Sequence, residues 1–408
     1  MITVTDVKCF ITAPRKVDLV VVKVETSEPG LYGLGCATFT QRAKAVKTAV
    51  DEYLRPIMIG RDVTKIEDAW QVMMGSSYWR NGPVLNNAIS GVDEALWDIK
   101  GKIANLPVYE LIGGKVREGV RVLPFGTMGL REGMGMGNTL EEIGDTVELM
   151  LKHGWDCIRV MYSSNGRGKV AADRKPEGAP EGFYLDPRQA IDDSVALFSY
   201  LRDRFGYGPQ FAMDVHEQFS PTEAGMLIKA LEPYKPFFLE DCLSPENLEW
   251  FRNIRQSSSV PMAMGELFVH PMEYKPLITE RLIDYIRVHI SFIGGLTPAR
   301  KLAALCEAYG VKTIWHGPAD LSPVGAAAQI HLDLVSPNCA MQEFGNPTEN
   351  EKQVFPGSFE ARNGYVYANG KPGLGVDFDE KAAAAFPPVG YNNPGFMARI
   401  VDGTAVRS

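Results

Sequence analysis

The stretch that decides the fold runs from Phe211 to Phe268, where three apolar segments each end at a carboxylate. These segments are Phe211-Ala-Met-Asp214, Pro236-Phe-Phe-Leu-Glu240 and Pro261-Met-Ala-Met-Gly-Glu266. The interval from each acid to the next is 26 residues, about the length of one strand, one crossover helix and two short loops. Each segment is short enough for a strand that is buried on both faces. The spacing therefore predicts successive parallel strands of an α/β fold.

These three acids form a candidate metal site. In a (β/α)8 barrel the carboxyl ends of all strands meet at one mouth, so the acids are expected to converge there. Carboxylates at close range raise one another's pKa unless a cation neutralises them. Oxygen ligands with room for water and substrate suit Mg2+ better than zinc. We expect Asp214, Glu240 and Glu266 to bind Mg2+, although any one of them alone is equally explained as a helix cap.

The composition is that of an ordinary globular enzyme, with 45% hydrophobic and 23% charged residues. A formal net charge of -8 and the lack of a basic cluster argue against nucleic acid as a partner. The sequence has no apolar run of about 18 residues and no signal-peptide pattern, so neither a membrane span nor export is expected. Six cysteines without a CxxC pair are typical of buried thiols in a reducing cytosol, which predicts a cytoplasmic protein.

A chain of 408 residues has room for a second module beside a barrel. Residues 1 to about 40 alternate as antiparallel strands, and helices follow between about Ala43 and Ile103, which together predict an α+β module. The glycines of Gly30-Leu-Tyr-Gly33-Leu-Gly35 are interpreted as turn residues, because no helix opens after them as in a dinucleotide loop. The predicted domains are a capping domain at 1–120, a barrel at 121–355 and a C-terminal segment at 356–408 that returns to the cap.

Eight barrel strands are predicted between residues 120 and 344. They lie at 120–127, 157–162, 211–216, 237–241, 262–267, 285–291, 312–316 and 339–344. The connection 163–186 is long, polar and rich in glycine, proline, lysine and arginine. A loop of this kind at a catalytic mouth is either a lid or disordered.

Histidines and arginines at strand ends are candidates for the chemistry around the metal. His216 lies two residues after Asp214, so the two side chains share a face if the strand continues that far. This predicts a proton donor beside the metal, with a structural hydrogen bond as the alternative. His316 ends the seventh strand and is expected at the same mouth.

Arg159 and Arg287 lie inside apolar strands, where an unpaired guanidinium is costly, so each requires an anion. That anion is either a substrate or a partner in a structural salt bridge. Glu343 ends the eighth strand, where it either accepts a hydrogen bond from a substrate hydroxyl or packs against a barrel arginine.

Motifs spread over nearly the whole chain match two related protein groups. The three strand-end acids, Ala-Leu-Trp97-Asp-Ile-Lys100 and Leu106-Pro-Val-Tyr-Glu-Leu-Ile-Gly-Gly114 resemble the enolase superfamily, in its mandelate racemase-like branch. A second set resembles the mannonate dehydratase subgroup, some members of which act on gluconate. This set comprises Tyr78-Trp-Arg-Asn-Gly-Pro83, Asp214-Val-His216, His316-Gly-Pro-Ala-Asp320-Leu-Ser-Pro, Gln342-Glu343 and Lys371-Pro-Gly-Leu-Gly-Val-Asp377.

The resemblance implies an α+β capping domain over a modified (β/α)7β barrel of the TIM type, with Mg2+ on the three acids and a homo-oligomeric assembly. It implies that a sugar acid loses the proton α to its carboxylate and its 3-hydroxyl, giving a 2-keto-3-deoxy acid. By motif match, His216 is the acid that helps the hydroxyl leave. The residues implied to hold substrate are Arg287, His316, Asp320, Glu343 and, in the cap, Thr40.

The chain departs from the subgroup at the general base. There an arginine of the second strand acts together with a tyrosine in the following loop. Arg159 matches the arginine, but Lys169-Val-Ala171-Ala stands where the tyrosine is expected, and Tyr162 and Tyr184 are out of register. His316 is a second candidate base, as in racemase-like relatives, although His289 stands where those proteins carry its aspartate partner.

Two further departures lie in the substrate shell, where Thr40 replaces a cap-loop asparagine and Gly126 replaces a first-strand histidine. We therefore expect a dehydratase of an acid sugar other than mannonate, with the base unassigned. One alternative is a racemase or epimerase that uses His316 as a base. The other is a ligand-binding descendant without catalysis.

Overall fold

The computed structural model describes residues 1–130, 135–161, 168–170, 174–317, 321–391 and 397–407. The chain gathers into two compact units, each built from separate segments. The first unit consists of Met1–Val122, Gly265–Lys275 and Ile286–Tyr391. The second unit consists of Leu123–Met264, Pro276–Tyr285 and Asn392–Ser408.

The first unit begins with an antiparallel sheet of order β1-β2-β3, formed by β1 (Val4–Thr12), β2 (Leu19–Thr26) and β3 (Tyr32–Cys36). Leu19 to Val22 of the central strand are all fully buried. Gly33 and Gly35 lie within β3, so their interpretation as turn residues is wrong. A Cβ atom on Gly35 would lie 2.0 Å from the carbonyl oxygen of Gly91, and the glycine therefore lets a helix approach the strand closely.

Helices follow the sheet as the sequence predicts. They are α1 (Ala43–Thr48), a π-helical stretch Ala49–Leu54, α2 (Arg55–Met58), α3 (Ile66–Met74), α4 (Pro83–Ala104) and α5 (Val108–Leu111). Pro83 occupies the first turn of α4, where its missing N–H has no helical partner to lose. Helix α4 is buried along nearly its whole length and carries Gly91 against β3.

Strands and helices alternate in the following segment. In chain order they are β4 (Val120–Pro124), α6 (Leu140–Lys152), β5 (Cys157–Arg159), α7 (Pro187–Phe205), β6 (Gln210–Asp214), α8 (Pro221–Leu231), β7 (Leu239–Glu240), α9 (Trp250–Ser257) and β8 (Met262–Met264). Strands β5 to β8 pair in parallel in this order, with Asp214 directly opposite Glu240. Ser220 forms a capping box with Glu223 and fixes where α8 starts after β6.

The remaining elements complete the alternation and then add short antiparallel pairs. They are α10 (Pro271–Thr279), β9 (Tyr285–Ile286), α11 (Leu296–Tyr309), β10 (Lys312–Thr313), α12 (Pro323–Val335), β11 (Gln342–Phe344), α13 (Glu349–Val354), β12 (Ala361–Arg362), β13 (Tyr365–Val366) and α14 (Glu380–Ala384). In the first unit, the Ile314 N–H donates to Ile286 O at 3.0 Å and the His316 N–H donates to Val288 O at 3.2 Å. The chain segments that follow β9 and β10 therefore run side by side past the assigned strand ends.

The C-terminal segment divides between the two units. Within the first unit, the Ala13 N–H donates to Phe386 O at 2.9 Å. Within the second unit, β14 (Met397–Arg399) pairs with β15 (Ala405–Arg407), and the Leu185 N–H donates to Arg399 O at 2.8 Å. The domain bounds 1–120, 121–355 and 356–408 stay a prediction.

Every one of the eight predicted barrel strands coincides with an observed strand, and each observed strand is shorter. Backbone hydrogen bonds continue past the assigned strand ends, as from the Val215 N–H to Glu240 O at 2.9 Å, so the apolar segments extend further than the assigned strands. Among the described residues, no helix combines the length and the apolar character needed to cross a bilayer.

Candidate active site

In the second unit, the carboxyl ends of β5, β6 and β7 bring an arginine and two acids together. Arg159 Nη1 lies 3.1 Å from Asp214 Oδ2 and 3.1 Å from Glu240 Oε2. Both acidic side chains are fully buried, and the arginine side chain is 12% exposed. One guanidinium nitrogen thus offsets the repulsion between two buried carboxylates. We call Arg159, Asp214, His216 and Glu240 the Asp214 cluster.

His216 reaches Asp214 by a turn and not by continuation of the strand. Strand β6 ends at Asp214, and His216 and Glu217 have φ values of 52° and 58°, in the left-handed region. The His216 backbone N–H donates to Asp214 Oδ1 at 3.1 Å, and its Nε2 lies 3.0 Å from Asp214 Oδ2. The strand does not continue as far as His216, so the alternation argument does not apply. The imidazole of His216 nevertheless contacts the Asp214 carboxylate.

Asp241 is a site residue that the sequence-based interpretation missed. Alternation along a strand would send its side chain to the face opposite Glu240. Instead Asp241 has a φ of 45°, and one carboxylate oxygen of Asp241 lies within 4.8 Å of one of Glu240. Asp241 is 2% exposed. The end of β7 therefore presents two neighbouring acids.

The first unit holds a second group of charged residues, which we call the His316 cluster: Glu266, Arg287, His289, His316 and Glu343. His316 Nε2 lies 2.9 Å from Glu266 Oε2. Arg287 Nη2 donates to Glu343 Oε2 at 2.8 Å, and both of these side chains are completely buried. The Gly317 backbone N–H donates to the same Glu343 oxygen at 3.1 Å. Arg287 and Glu343 thus neutralise each other.

Two buried glutamines support the segment that carries His316. Gln329 on α12 donates from Nε2 to His316 O at 2.7 Å. Gln342 on β11 donates to Gln329 Oε1 at 2.7 Å and lies 3.2 Å from Trp315 O. Gln342 belongs to a matched motif, whereas Gln329 gives no sequence signal because it lies in the middle of an apolar helix.

His289 is a neutral histidine inside the His316 cluster. Burial lowers the pKa of His289 well below its ordinary value, and the neighbouring His316 lowers it further. The His289 ring stacks on Phe292 with centroids 4.6 Å apart, and its centroid lies 5.4 Å from that of His316. The Phe292 ring in turn meets Phe39 edge-on at 5.4 Å. Thr40, predicted to contact substrate, directly follows Phe39 in the short 3-10 turn Thr40–Arg42.

The remaining residues singled out from the sequence have other surroundings. Asp320, Tyr162 and Ala171 lie outside the described residues. Tyr184 is buried, and its hydroxyl donates to Pro180 O at 2.9 Å. Lys169 is exposed, and its backbone forms an isolated antiparallel β-bridge with Leu185. Within the described parts of the 163–186 connection, the Gly168 N–H donates to Asp193 of α7 at 2.7 Å.

Comparison with known proteins assigns this chain to a family. A model of the mandelate racemase / muconate lactonizing enzyme N-terminal domain matches residues 3–113, and a model described as enolase C-terminal domain-like matches residues 146–382. The chain belongs to the enolase superfamily, in its mandelate racemase-like branch, with a capping domain before a curled parallel-sheet barrel. The expected superfamily and fold class are confirmed.

Relatives define the family more closely. A D-galactonate dehydratase family member from Enterocloster bolteae is 52% identical, over 100% of this chain and 99% of that protein. The family member SEN1436 from Salmonella enteritidis is 49% identical, over 99% of this chain and 98% of that protein. A solved enolase from Pantoea ananatis, with bound D-gluconate and Mg, is 47% identical with a TM-score of 0.95 and covers 100% of both chains. This protein is thus a member of the acid-sugar dehydratase family and, as predicted, a carbon-oxygen lyase.

Proposed function

We propose that the protein is a Mg2+-dependent dehydratase of an aldonate other than mannonate, and that D-gluconate is the first substrate to test. The reaction removes the proton α to the carboxylate and the 3-hydroxyl, and gives a 2-keto-3-deoxy acid. The observation that carries the proposal is the pair Asp214 and Glu240, fully buried and opposite each other at the ends of parallel strands. The D-gluconate and Mg in the relative from Pantoea ananatis support the choice of substrate class and metal.

The metal ligands we propose are Asp214, Glu240 and Glu266. Glu266 lies two residues beyond the last residue of β8, and β8 pairs with β7, so three neighbouring strands each deliver one acid. The donors are all oxygen atoms, which fits a hard divalent cation. Burial makes two adjacent carboxylates costly without a cation, and Arg159 supplies one positive charge against their two negative charges. When bound, Mg2+ stabilises the negative charge that develops on the substrate carboxylate.

His216 is the proposed general acid for departure of the 3-hydroxyl. Its imidazole is held on Asp214 through both the ring and the backbone N–H, which fixes its orientation at the proposed metal site. General acid catalysis by a positioned histidine contributes about a hundredfold to ten-thousandfold. The His216→Asn variant is therefore expected to lose dehydration by at least about a hundredfold.

His316 is the base that we favour over Arg159. An arginine stays protonated at neutral pH in proteins, and Arg159 also contacts two carboxylates. His316 in turn is oriented by Glu266 and by the Gln329 bond to its carbonyl oxygen. Arg287, Glu343, Asp320 and Thr40 remain the proposed substrate-binding residues.

The test is a screen of the purified protein with Mg2+ on a panel of aldonates and aldarates, with detection of the 2-keto-3-deoxy product. Turnover of D-gluconate or a related aldonate, abolished in His216→Asn, is expected. If no acid of the panel is turned over while metal is bound, the dehydratase proposal is wrong.

One observation favours racemisation or epimerisation as a second candidate. His316 Nε2 and Glu266 Oε2 form a histidine-carboxylate pair at 2.9 Å, which suits a base that removes and returns a proton. Exchange of the C2 proton for deuterium without loss of water would identify this reaction. Binding of the acid without exchange would indicate a ligand-binding protein. The expectations of a homo-oligomer and of a cytoplasmic location stay predictions.

A further inference from the structure

The tautomer of His289 follows from its partner. Its Nδ1 accepts the backbone N–H of Ser291 at 3.3 Å. A ring nitrogen that accepts a hydrogen bond carries no proton, so the single proton of the neutral imidazole lies on Nε2. Burial keeps the ring neutral, because it lowers the pKa of His289 well below the ordinary value. His289 therefore presents a fixed N–H donor at Nε2.

This donor is completely buried, since His289 has a relative exposure of 0%. Among the residues that the structure describes, no atom accepts a hydrogen bond from His289 Nε2. A buried N–H group without an acceptor lowers the free energy of unfolding. Native proteins therefore keep such a donor where a ligand or an ordered water accepts its hydrogen bond.

The surroundings of the His289 ring indicate which ligand accepts the hydrogen bond from Nε2. Phe292 stacks on the imidazole at 4.6 Å, with an angle of 21° between the planes, which limits rotation of the ring. The ring of His316 also lies close by, with its centroid 5.4 Å from that of His289 and an angle of 55° between the planes. His316 is the proposed base, which has to reach the α-proton of the substrate, so the donor lies beside a group that meets the substrate.

We infer that His289 is a further substrate-binding residue, whose Nε2–H donates a hydrogen bond to an oxygen of the bound sugar acid next to His316. The inference rests on the proposed function, because it requires a sugar acid in the His316 cluster. The acceptor is a hydroxyl or carboxylate oxygen, and an apolar group at that position would leave the donor unpaired.

Two substitutions separate this role from a structural one. In His289→Asn, the amide oxygen can replace Nδ1 as the acceptor for Ser291, but no donor remains at the Nε2 position. In His289→Gln, the longer amide places an N–H group near that position. With D-gluconate and Mg2+, His289→Asn is expected to bind about tenfold more weakly than wild type, and His289→Gln within about threefold of wild type. Calorimetry measures both affinities, and thermal unfolding confirms that both variants are folded.

The results of these binding measurements separate a failure of the inference from a failure of the proposed function. If wild type binds neither D-gluconate nor any other acid of the panel, the proposed function fails, and the inference fails with it. If wild type binds the acid and His289→Asn binds it equally well, only the inference fails, and the donor is completed by water.

A spectroscopic readout tests the contact directly. In protein with 15N-labelled histidine, the His289 Nε2–H signal is expected to shift when D-gluconate is added at pH 7. His331 is the internal control, because it is also buried, with its pKa lowered to about 4, but both of its nitrogens have partners at Tyr109 N and Leu374 O. The His331 signal should stay in place, and an unshifted His289 signal at saturating acid would contradict the inference.

Discussion

Two groups of acids in this molecule are equally buried but lie at different kinds of position in the fold. Asp93, Glu94 and Asp98 lie on α4 and are completely buried. Their partners are mainly backbone N–H groups: Glu94 accepts from Cys36 at 2.8 Å, and Asp98 accepts from Leu34 at 3.0 Å. These acids tie a helix to the strand and loop segments around it, inside the first unit.

Asp214 and Glu240 are buried to the same degree, but both contact the cationic side chain of Arg159, and Asp214 also contacts the imidazole of His216. They also lie at the carboxyl ends of parallel strands, where the active sites of such barrels are found. Burial alone therefore does not mark a functional acid. Asp98 also accepts from the Lys102 ammonium group, so the position at a strand end, and not the kind of partner, separates a candidate metal ligand from a structural carboxylate.

Replacement of Asp214 gives the largest expected difference between the two groups. Asp214→Asn should lower kcat/KM by at least about a thousandfold. The substitution removes the negative charge of a proposed Mg2+ ligand, and so weakens the stabilisation of the negative charge that develops on the substrate. Circular dichroism should show a folded protein, since Arg159 keeps Glu240 as a partner. The exposed Asp145 provides the matched control, and Asp145→Asn should leave kcat/KM unchanged. An active Asp214→Asn enzyme would remove the distinction.

Metal-dependent stability should separate the groups next. A ligand that binds only the folded state at a hundred times its Kd stabilises that state by about 2.7 kcal/mol. Mg2+ should therefore raise the Tm of wild type and of Glu94→Gln, but not of Glu240→Gln. Thermal unfolding with and without Mg2+, after treatment with a chelator, measures this. A Mg2+-dependent rise in Glu240→Gln would exclude Glu240 as a ligand.

Replacement of Asp98 should show the opposite pattern to Asp214. Asp98 Oδ1 accepts from Leu374 N at 2.8 Å and Oδ2 accepts from Leu34 N and Lys102 Nζ. An amide accepts at one atom only, so Asp98→Asn turns one of these positions into a clash between donors. We expect a loss of about 1–3 kcal/mol in the free energy of unfolding, measured with urea. The kcat per folded molecule should not change, and a large fall in kcat would assign Asp98 a role at the site.

The pH dependence of stability gives the smallest expected effect. Burial raises the pKa of Asp93 from 3.8 to about 7. A carboxyl whose folded-state pKa is raised holds its proton in the folded protein over the range where the unfolded chain has lost it. Its contribution to stability is complete below about pH 4 and is lost as the pH rises towards 7.

Wild type is therefore expected to lose stability between pH 4.5 and pH 7.5 faster than Asp93→Asn, by on the order of 1 kcal/mol across that range. Urea unfolding of both proteins at several pH values tests this. Parallel pH profiles for the two proteins would show that Asp93 does not titrate with the raised pKa.

The strand-end acids were predictable because their signal is local: an apolar run, a carboxylate and an equal interval. His216 was predicted beside Asp214, but through strand alternation, whereas the structure places it there through a left-handed turn. Asp241 was missed, because its left-handed φ reverses the face that period-two alternation predicts. Pairing of β14 with the chain near Leu185 joins segments more than 200 residues apart, and neither segment has a sequence pattern that indicates its partner. Gln329 acts on a backbone carbonyl, which every residue possesses, so its role has no sequence pattern.

Gly265, between the last residue of β8 and Glu266, limits how the enzyme can be redesigned. It has a φ of 151°, and a Cβ atom there would lie 2.8 Å from Val288 N and 3.0 Å from the Arg287 backbone. Any side chain would push apart the main chain that carries Glu266 and the main chain that leads to His289. Libraries built to change the preferred acid should therefore keep Gly265 constant and vary the proposed substrate-binding residue Thr40.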